Sequence, residues 1–106
     1  MRYSKEVNEL RLMYENLKTE YDNFCSIYDI NDYDERMIRS MYRIIEQDMD
    51  YYQETIHNIT NNYKKIKEEI GLKTIRSDNK YFRNMMTHTH HDLRNLNESI
   101  NKVHQK

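Results

Sequence analysis

The densest group of side chains able to bind a metal ion is the segment Thr87-His88-Thr89-His90-His91-Asp92. On a helix, His88 lies one turn from both His91 and Asp92, so two of these residues could offer ligands to one zinc ion. A full site needs more ligands, and no second histidine pair lies nearby in the sequence. The favoured interpretation is a set of solvated or interface histidines, with a pH-responsive contact or a metal site as weaker alternatives. We therefore predict no bound metal or other cofactor.

Residue types that commonly carry catalysis are scattered along the chain. Cys25 has no histidine near it in sequence and is expected to be a small buried hydrophobic residue. Glu46, Asp50 and Glu54 recur every four residues and form an acidic stripe, which is either a solvated helix face or a docking surface. The single glycine, Gly71, excludes a glycine-rich phosphate-binding loop. We predict that the chain is not an enzyme.

Three segments repeat apolar residues at alternating steps of four and three, which is typical of helices that pack side by side. They run from Tyr3 to Tyr28, from Ile38 to Ile70 and from Phe82 to Val103, the last with one polar exception at Thr89. The pattern predicts an all-α fold built from long amphipathic helices.

The residues between these segments predict the helix ends. Asp32, with Glu35 three positions later, indicates a capping box. Gly71 suits a left-handed C-cap, and Leu72–Ser77 interrupts the apolar phase. Short connections favour antiparallel neighbours. The prediction is one helical domain over residues 1–106, a coiled-coil-like bundle of three long antiparallel helices, the second longest, over about residues 3–29, 33–70 and 78–104.

The first half of the second helix carries more apolar residues than one packing seam needs. Met37, Met41, Ile44 and Tyr51 form an extra line at helical spacing, which we call the apolar stripe. With the predicted boundaries, the third helix covers only about residues 44–70 of the second and leaves the beginning of the stripe open. Methionine adapts to irregular partners, and exposed apolar patches mark interaction sites. We predict that the apolar and acidic stripes bind a partner; the alternative is that the apolar stripe is ordinary core.

Charge is unevenly distributed in a chain whose formal net charge is −1. Residues 1–30 carry −2, residues 31–71 carry −3 and residues 72–106 carry +4. Internal compensation or a complementary self-contact explains this most simply. The alternative is a small nucleic-acid-binding regulator that uses the basic last third, although its basic residues are spread out without a recognition motif.

Composition indicates the setting. The chain has no alanine or proline but twelve asparagines and eleven isoleucines, which indicates an AT-rich genome such as that of a low-GC bacterium, a phage, a mobile element or a large virus. The single cysteine suits a reducing compartment, and neither a signal peptide nor a membrane span is expected. We predict a cytoplasmic, non-catalytic protein–protein interaction module that forms a homodimer or docks on and modulates a partner protein, for example as a phage or mobile-element accessory or inhibitor protein.

Overall fold

The chain is all-helical in the computed structural model, which describes residues 5–104. Helix α1 spans Lys5–Ile27, a short 3₁₀ helix spans Ile30–Asp32, and helix α2 spans Arg36–His104. Tyr3, the first position of the predicted apolar pattern, lies outside the described residues. Neither described helix contains a stretch long and apolar enough to cross a membrane.

The apolar repeat of α1 forms one buried face. Because the steps of four and three match the helical period, every repeat position falls on the side that meets α2. The fully buried positions are Val7, Leu10, Leu17 and Phe24. The tyrosines between and after them are half-buried and pack against the same core.

The connection after α1 is capped differently from the prediction. The Asp29 carboxylate accepts a hydrogen bond from the Asn31 backbone N–H at 2.9 Å and caps the 3₁₀ helix, in which Asp32 itself lies. Helix α2 then begins at Arg36, and the Glu35 carbonyl accepts a bond from the Arg39 N–H at 3.1 Å. The predicted capping box at Asp32 is therefore wrong, because Asp32 lies inside the 3₁₀ helix that Asp29 caps and not at the start of α2.

The prediction of three separate antiparallel helices is also wrong, since the structure has two. Helix α2 continues through Leu72–Ser77, where a turn was expected. Inside it, only Asn62, with φ −123° and ψ 18°, and Gly71, with φ 82° and ψ 158°, leave helical geometry. The positive φ expected at Gly71 is present, but its ψ is extended rather than that of a left-handed cap. Ile75 is buried, and its packing keeps the predicted turn helical.

Helix α2 bends back on itself at these two residues. A straight helix of its 69 residues would be about 100 Å long, whereas the longest dimension of the described chain is 55 Å. We call residues 36–61 the proximal arm and residues 72–104 the distal arm. The arms are antiparallel, because Tyr51 contacts Phe82 while the earlier Asp48 contacts the later Thr89.

The distal arm extends further along the proximal arm than predicted. Counting outward from the Thr89–Asp48 contact places Ile100 level with the beginning of the apolar stripe. Ile100 is fully buried there. The expectation that the last helical segment stops short of residues 37–44 is wrong, because the chain reverses between the two non-helical residues rather than after the second one.

The apolar pattern of the distal arm also begins earlier than its sequence suggests. Ile75, Asn79 and Phe82 are all buried and continue the four-and-three alternation backward. Asn79 hides this continuity from a search for apolar residues, since its amide occupies a core position. The predicted break in the apolar repeat is therefore caused by the polar side chain of Asn79 at a core position, and the helix continues through it.

Candidate protein-docking surface

Three residues of the apolar stripe form a straight exposed line on the proximal arm. Met37, Ile44 and Tyr51 follow one another at intervals of seven residues and are 67%, 54% and 51% exposed. The residue after each of them is fully buried, namely Ile38, Ile45 and Tyr52. Because successive helical residues are rotated by about 100°, the buried line forms the core and leaves the exposed line on its flank.

The fourth residue of the predicted stripe, Met41, has a different environment. It is half-buried and packs against the main core cluster. Met41 therefore belongs to the core side of the apolar stripe. The solvent-facing apolar surface is formed by Met37, Ile44 and Tyr51. A polar substitution at Met41 would disturb folding as well as any contact, so Ile44 is the cleaner position for an experiment.

The Tyr51 end of the exposed line borders the distal arm. The Tyr51 ring is 5.8 Å from the Phe82 ring and 6.1 Å from the Tyr52 ring, centroid to centroid. These contacts hold one edge of Tyr51 while half of the residue stays exposed. Aromatic packing therefore fixes the position of the Tyr51 ring at this end of the line.

The acidic stripe runs obliquely to the exposed line, because its members recur every four residues rather than every seven. Glu46, Asp50 and Glu54 are all exposed. Glu46 follows Tyr42 by one helical turn, and the Tyr42 ring stacks against Tyr21 of α1. Burial raises the pKa of Tyr14 in α1, and the negative charge of Asp50 adds to the rise. Glu46 therefore lies far around the helix from Ile44, whereas Glu54 lies one turn after Tyr51 and flanks the exposed line.

A buried polar chain connects the two arms behind the exposed line. The Tyr52 and Thr89 hydroxyl oxygens are 2.6 Å apart. Thr89 has one hydrogen, which faces the Asp48 carboxylate at 3.0 Å and the Met85 carbonyl at 3.2 Å. Because both of those groups only accept, the Tyr52 hydroxyl must donate to Thr89. In the sequence Thr89 stands out only as a polar exception, because its partners Tyr52 and Asp48 are 37 and 41 residues away.

Tyrosines also line the seam between α1 and the proximal arm. The rings of Tyr21 and Tyr42 stack with their centroids 6.5 Å apart, and Phe24 lies 6.5 Å from Tyr42. Burial raises the pKa of Tyr21, and the neighbouring Tyr42 hydroxyl raises it further. The Tyr21 phenol therefore stays protonated at neutral pH.

The side chains of the histidine cluster lie on different faces of the distal arm. His88 and His91 are exposed and Asp92 is half-buried. Among residues 5–104, no group of three or more His, Cys, Asp or Glu side chains converges to hold a metal ion. His90 points the other way and contacts the Glu20 carboxylate of α1. Sequence analysis did not identify His90, because only packing shows which histidine faces another helix.

Cys25 is exposed, so the prediction of a buried hydrophobic residue at this position is wrong. It directly follows the buried Phe24. The rotation of about 100° per residue moves its side chain off the packed face and into solvent.

The basic part of the distal arm is partly compensated by α1. Arg76 Nε lies 3.2 Å from Glu6 Oε1, and Arg83 Nη1 lies 3.9 Å from Glu9 Oε2. Both contacts follow from α1 and the distal arm running in the same direction. A phosphate-binding surface on this face would compete with two carboxylates for its arginines.

Comparison of the chain with protein-family models, with curated proteins and with solved structures gave no match.

Proposed function

We propose that the chain is a non-catalytic helical interaction module that docks on a partner protein, or on a second copy of itself, through Met37, Ile44 and Tyr51. One observation supports this proposal above the others: three large apolar side chains lie on one line and each is more than half exposed. Removing apolar surface from water stabilises a complex by roughly 25 cal/mol for each Å² buried. A line of such residues is therefore a source of binding free energy that the folded chain has not used.

Exposed apolar residues are common, but they are usually isolated. Leu12 of α1 is an internal example, because it is 61% exposed while the residues seven positions before and after it are Lys5 and Thr19. The apolar line of the proximal arm repeats over three successive positions of the same kind. Leu12 therefore offers a matched control for the proposed surface.

The test is affinity capture from the native host followed by mass spectrometry, with three tagged chains: wild type, Ile44→Asp and Leu12→Asp. Circular dichroism establishes first that all three are equally helical. The proposal expects a protein, or untagged copies of this chain, that is retained by wild type and by Leu12→Asp but lost with Ile44→Asp. Identical capture by wild type and Ile44→Asp, including empty capture by both, contradicts the proposal.

The nucleic-acid alternative receives less support. Two basic residues of the distal arm, Arg76 and Arg83, are close to carboxylates of α1. Binding of duplex DNA or RNA that weakens steeply with salt, and weakens further on Arg94→Ala or Lys102→Ala, would favour it over protein docking.

The biological setting stays a prediction. We place the module in the cytoplasm of a bacterium or of a host cell, where a phage or mobile element could use it as an accessory or inhibitor protein. The AT-rich character of the sequence supports this setting, and recovery of the captured partner is the observation that would identify the process.

A further inference from the structure

We infer that the occupant of the exposed line is a second copy of this chain, packed antiparallel to the first about a two-fold axis at Ile44. The inference rests on the proposed function, because it names the partner of the same surface. It is based on the distribution of charge along the proximal arm. When two copies of the arm run in opposite directions, the basic part of each lies beside the acidic part of the other.

The proximal arm is divided into a basic and an acidic half. Residues 36–45 contain three arginines and no acidic residue, and residues 46–61 contain four acidic residues and no lysine or arginine. The change of sign falls directly after Ile44 and Ile45, at the centre of the exposed line. The arginines are Arg36, Arg39 and Arg43, and the acids are Glu46, Asp48, Asp50 and Glu54.

The charges of the proximal arm differ in whether they have a partner within the chain. Two of them do: Arg39 donates to the Tyr33 carbonyl at 3.3 Å, and Asp48 accepts from Thr89. Arg36 and Glu54 are exposed, and neither takes part in an ion pair or a side-chain hydrogen bond with another residue of the described range 5–104. Opposite charges thus remain available at the two ends of the line.

The charges select the orientation of the second copy. Parallel packing would place Arg36 beside Arg36 and Glu54 beside Glu54, which is repulsive at both ends. Antiparallel packing about Ile44 places Arg36 near Glu54 of the second copy, because both side chains lie on the same flank of the exposed line and at similar distances from the axis. The two-fold symmetry forms this contact twice, as an isologous interface requires.

The apolar residues agree with the same orientation. Antiparallel packing places Met37 against Tyr51 of the second copy at each end and Ile44 against Ile44 at the centre. A thioether against an aromatic ring is a favourable contact. The line from Met37 to Tyr51 is about 21 Å long at 1.5 Å per residue, and its ends are filled by unlike side chains that fit each other.

Disulfide trapping tests the geometry directly. In a Cys25→Ser background, which removes the exposed native thiol, single cysteines replace Ile44, Met37 or Tyr51 in the full chain. The inference expects Ile44→Cys to cross-link with itself. Met37→Cys and Tyr51→Cys should each stay mostly monomeric alone but cross-link when mixed. Efficient self-linking of Met37→Cys would show a parallel pair and overturn the inference, and Leu12→Cys controls for random collision.

Charge reversal supplies an independent readout by sedimentation equilibrium. Arg36→Glu and Glu54→Arg should each weaken the dimer about tenfold, because each removes two symmetric contacts. The double variant Arg36→Glu/Glu54→Arg should recover most of the loss, since it exchanges the two charges at each contact. Equal loss in the double variant and the single variants would overturn the inference.

Failure here is distinguishable from failure of the proposed function. A wild-type chain that stays monomeric at about 100 μM overturns the second copy as occupant. If that monomeric chain still loses a captured protein on Ile44→Asp, the docking function stands with a different partner. A dimer unaffected by Ile44→Asp counts against both.

Discussion

The Tyr52 hydroxyl lies 2.6 Å from the Thr89 hydroxyl, and this contact joins two arms of one helix that are 37 residues apart in the sequence. Both residues are fully buried. A buried hydroxyl without a partner is costly, so sliding one arm past the other would leave this pair unsatisfied. The pair therefore fixes the register of the arms and, with it, the position of the exposed line.

Replacing Tyr52 with Phe should lower the free energy of unfolding by about 1 kcal/mol, the usual net contribution of one hydrogen bond. The ring packing against Phe82 remains, and Thr89 still donates to Asp48 or to the Met85 carbonyl. Urea denaturation followed by circular dichroism measures the change. The control is Tyr81→Phe, because Tyr81 is 68% exposed; an equal loss in the control would remove the special role of the Tyr52 hydroxyl.

Alkaline pH should destabilise the fold. Burial raises the pKa of both Tyr21 and Tyr52, whereas a tyrosine of the unfolded chain ionises near a pKa of about 10. Above that pH the unfolded state binds fewer protons than the folded state, so the free energy of unfolding falls as pH rises. Below it, this contribution is fully present.

Urea titrations between pH 8 and pH 11 measure this dependence. The free energy of unfolding should be level with respect to these tyrosines until about pH 9.5 and then fall by up to about 1.4 kcal/mol per pH unit for each buried phenol. Tyr21→Phe/Tyr52→Phe should show a shallower fall. A stability that is flat to pH 11 in the wild type would show that the buried phenols ionise normally.

Gly71→Ala should destabilise the chain by about 1–2 kcal/mol. Gly71 has φ 82°, and a methyl group added there would meet nothing within 4 Å. The cost therefore comes from the backbone alone, since side chains disfavour this conformation. Thermal unfolding measures it, with Glu69→Ala, an exposed position of the same segment, as the control. An unchanged melting temperature would mean that the bend tolerates another backbone conformation.

Leu96→Ala should cost about 2–5 kcal/mol, because Leu96 is fully buried in the cluster that joins α1 to both arms. The same truncation at the exposed Leu12 should change stability by less than about 0.5 kcal/mol. Comparing the two under identical denaturation conditions separates core from surface leucine. Similar costs at both sites would mean that Leu12 is covered in solution, which contradicts its use as a control.

Zinc at a modest excess should leave the melting temperature of the wild-type chain unchanged. His88 and His91 are exposed, and the described residues offer no converging third ligand. Two weak ligands alone do not complete a tetrahedral site. A rise in melting temperature that disappears with His88→Ala would show that the cluster binds metal after all.

The local features of the helices were predictable from the residues. The steps of four and three mark the core positions of α1 and most of those in the arms, because apolar residues that recur at the helical period lie on one face, and that face is buried. The exposed line at Met37, Ile44 and Tyr51 was predicted as part of the apolar stripe for the same reason. The burial of Cys25 was predicted wrongly and that of Asn79 was not predicted, since burial of one side chain depends on what packs against it.

The sequence by itself determined an all-helical chain, the identity of its core faces and the division of charge along residues 36–61. Each of these depends only on the spacing of apolar or charged residues along one helix. Only the tertiary structure decided that the helix from Arg36 continues through the expected turn, where the chain reverses, and that Met37, Ile44 and Tyr51 stay exposed while Met41 is half-buried. The physical reason is register: the pairing of Tyr52 with Thr89 depends on the bend at Asn62 and Gly71, and no local pattern specifies how far two distant arms slide past each other.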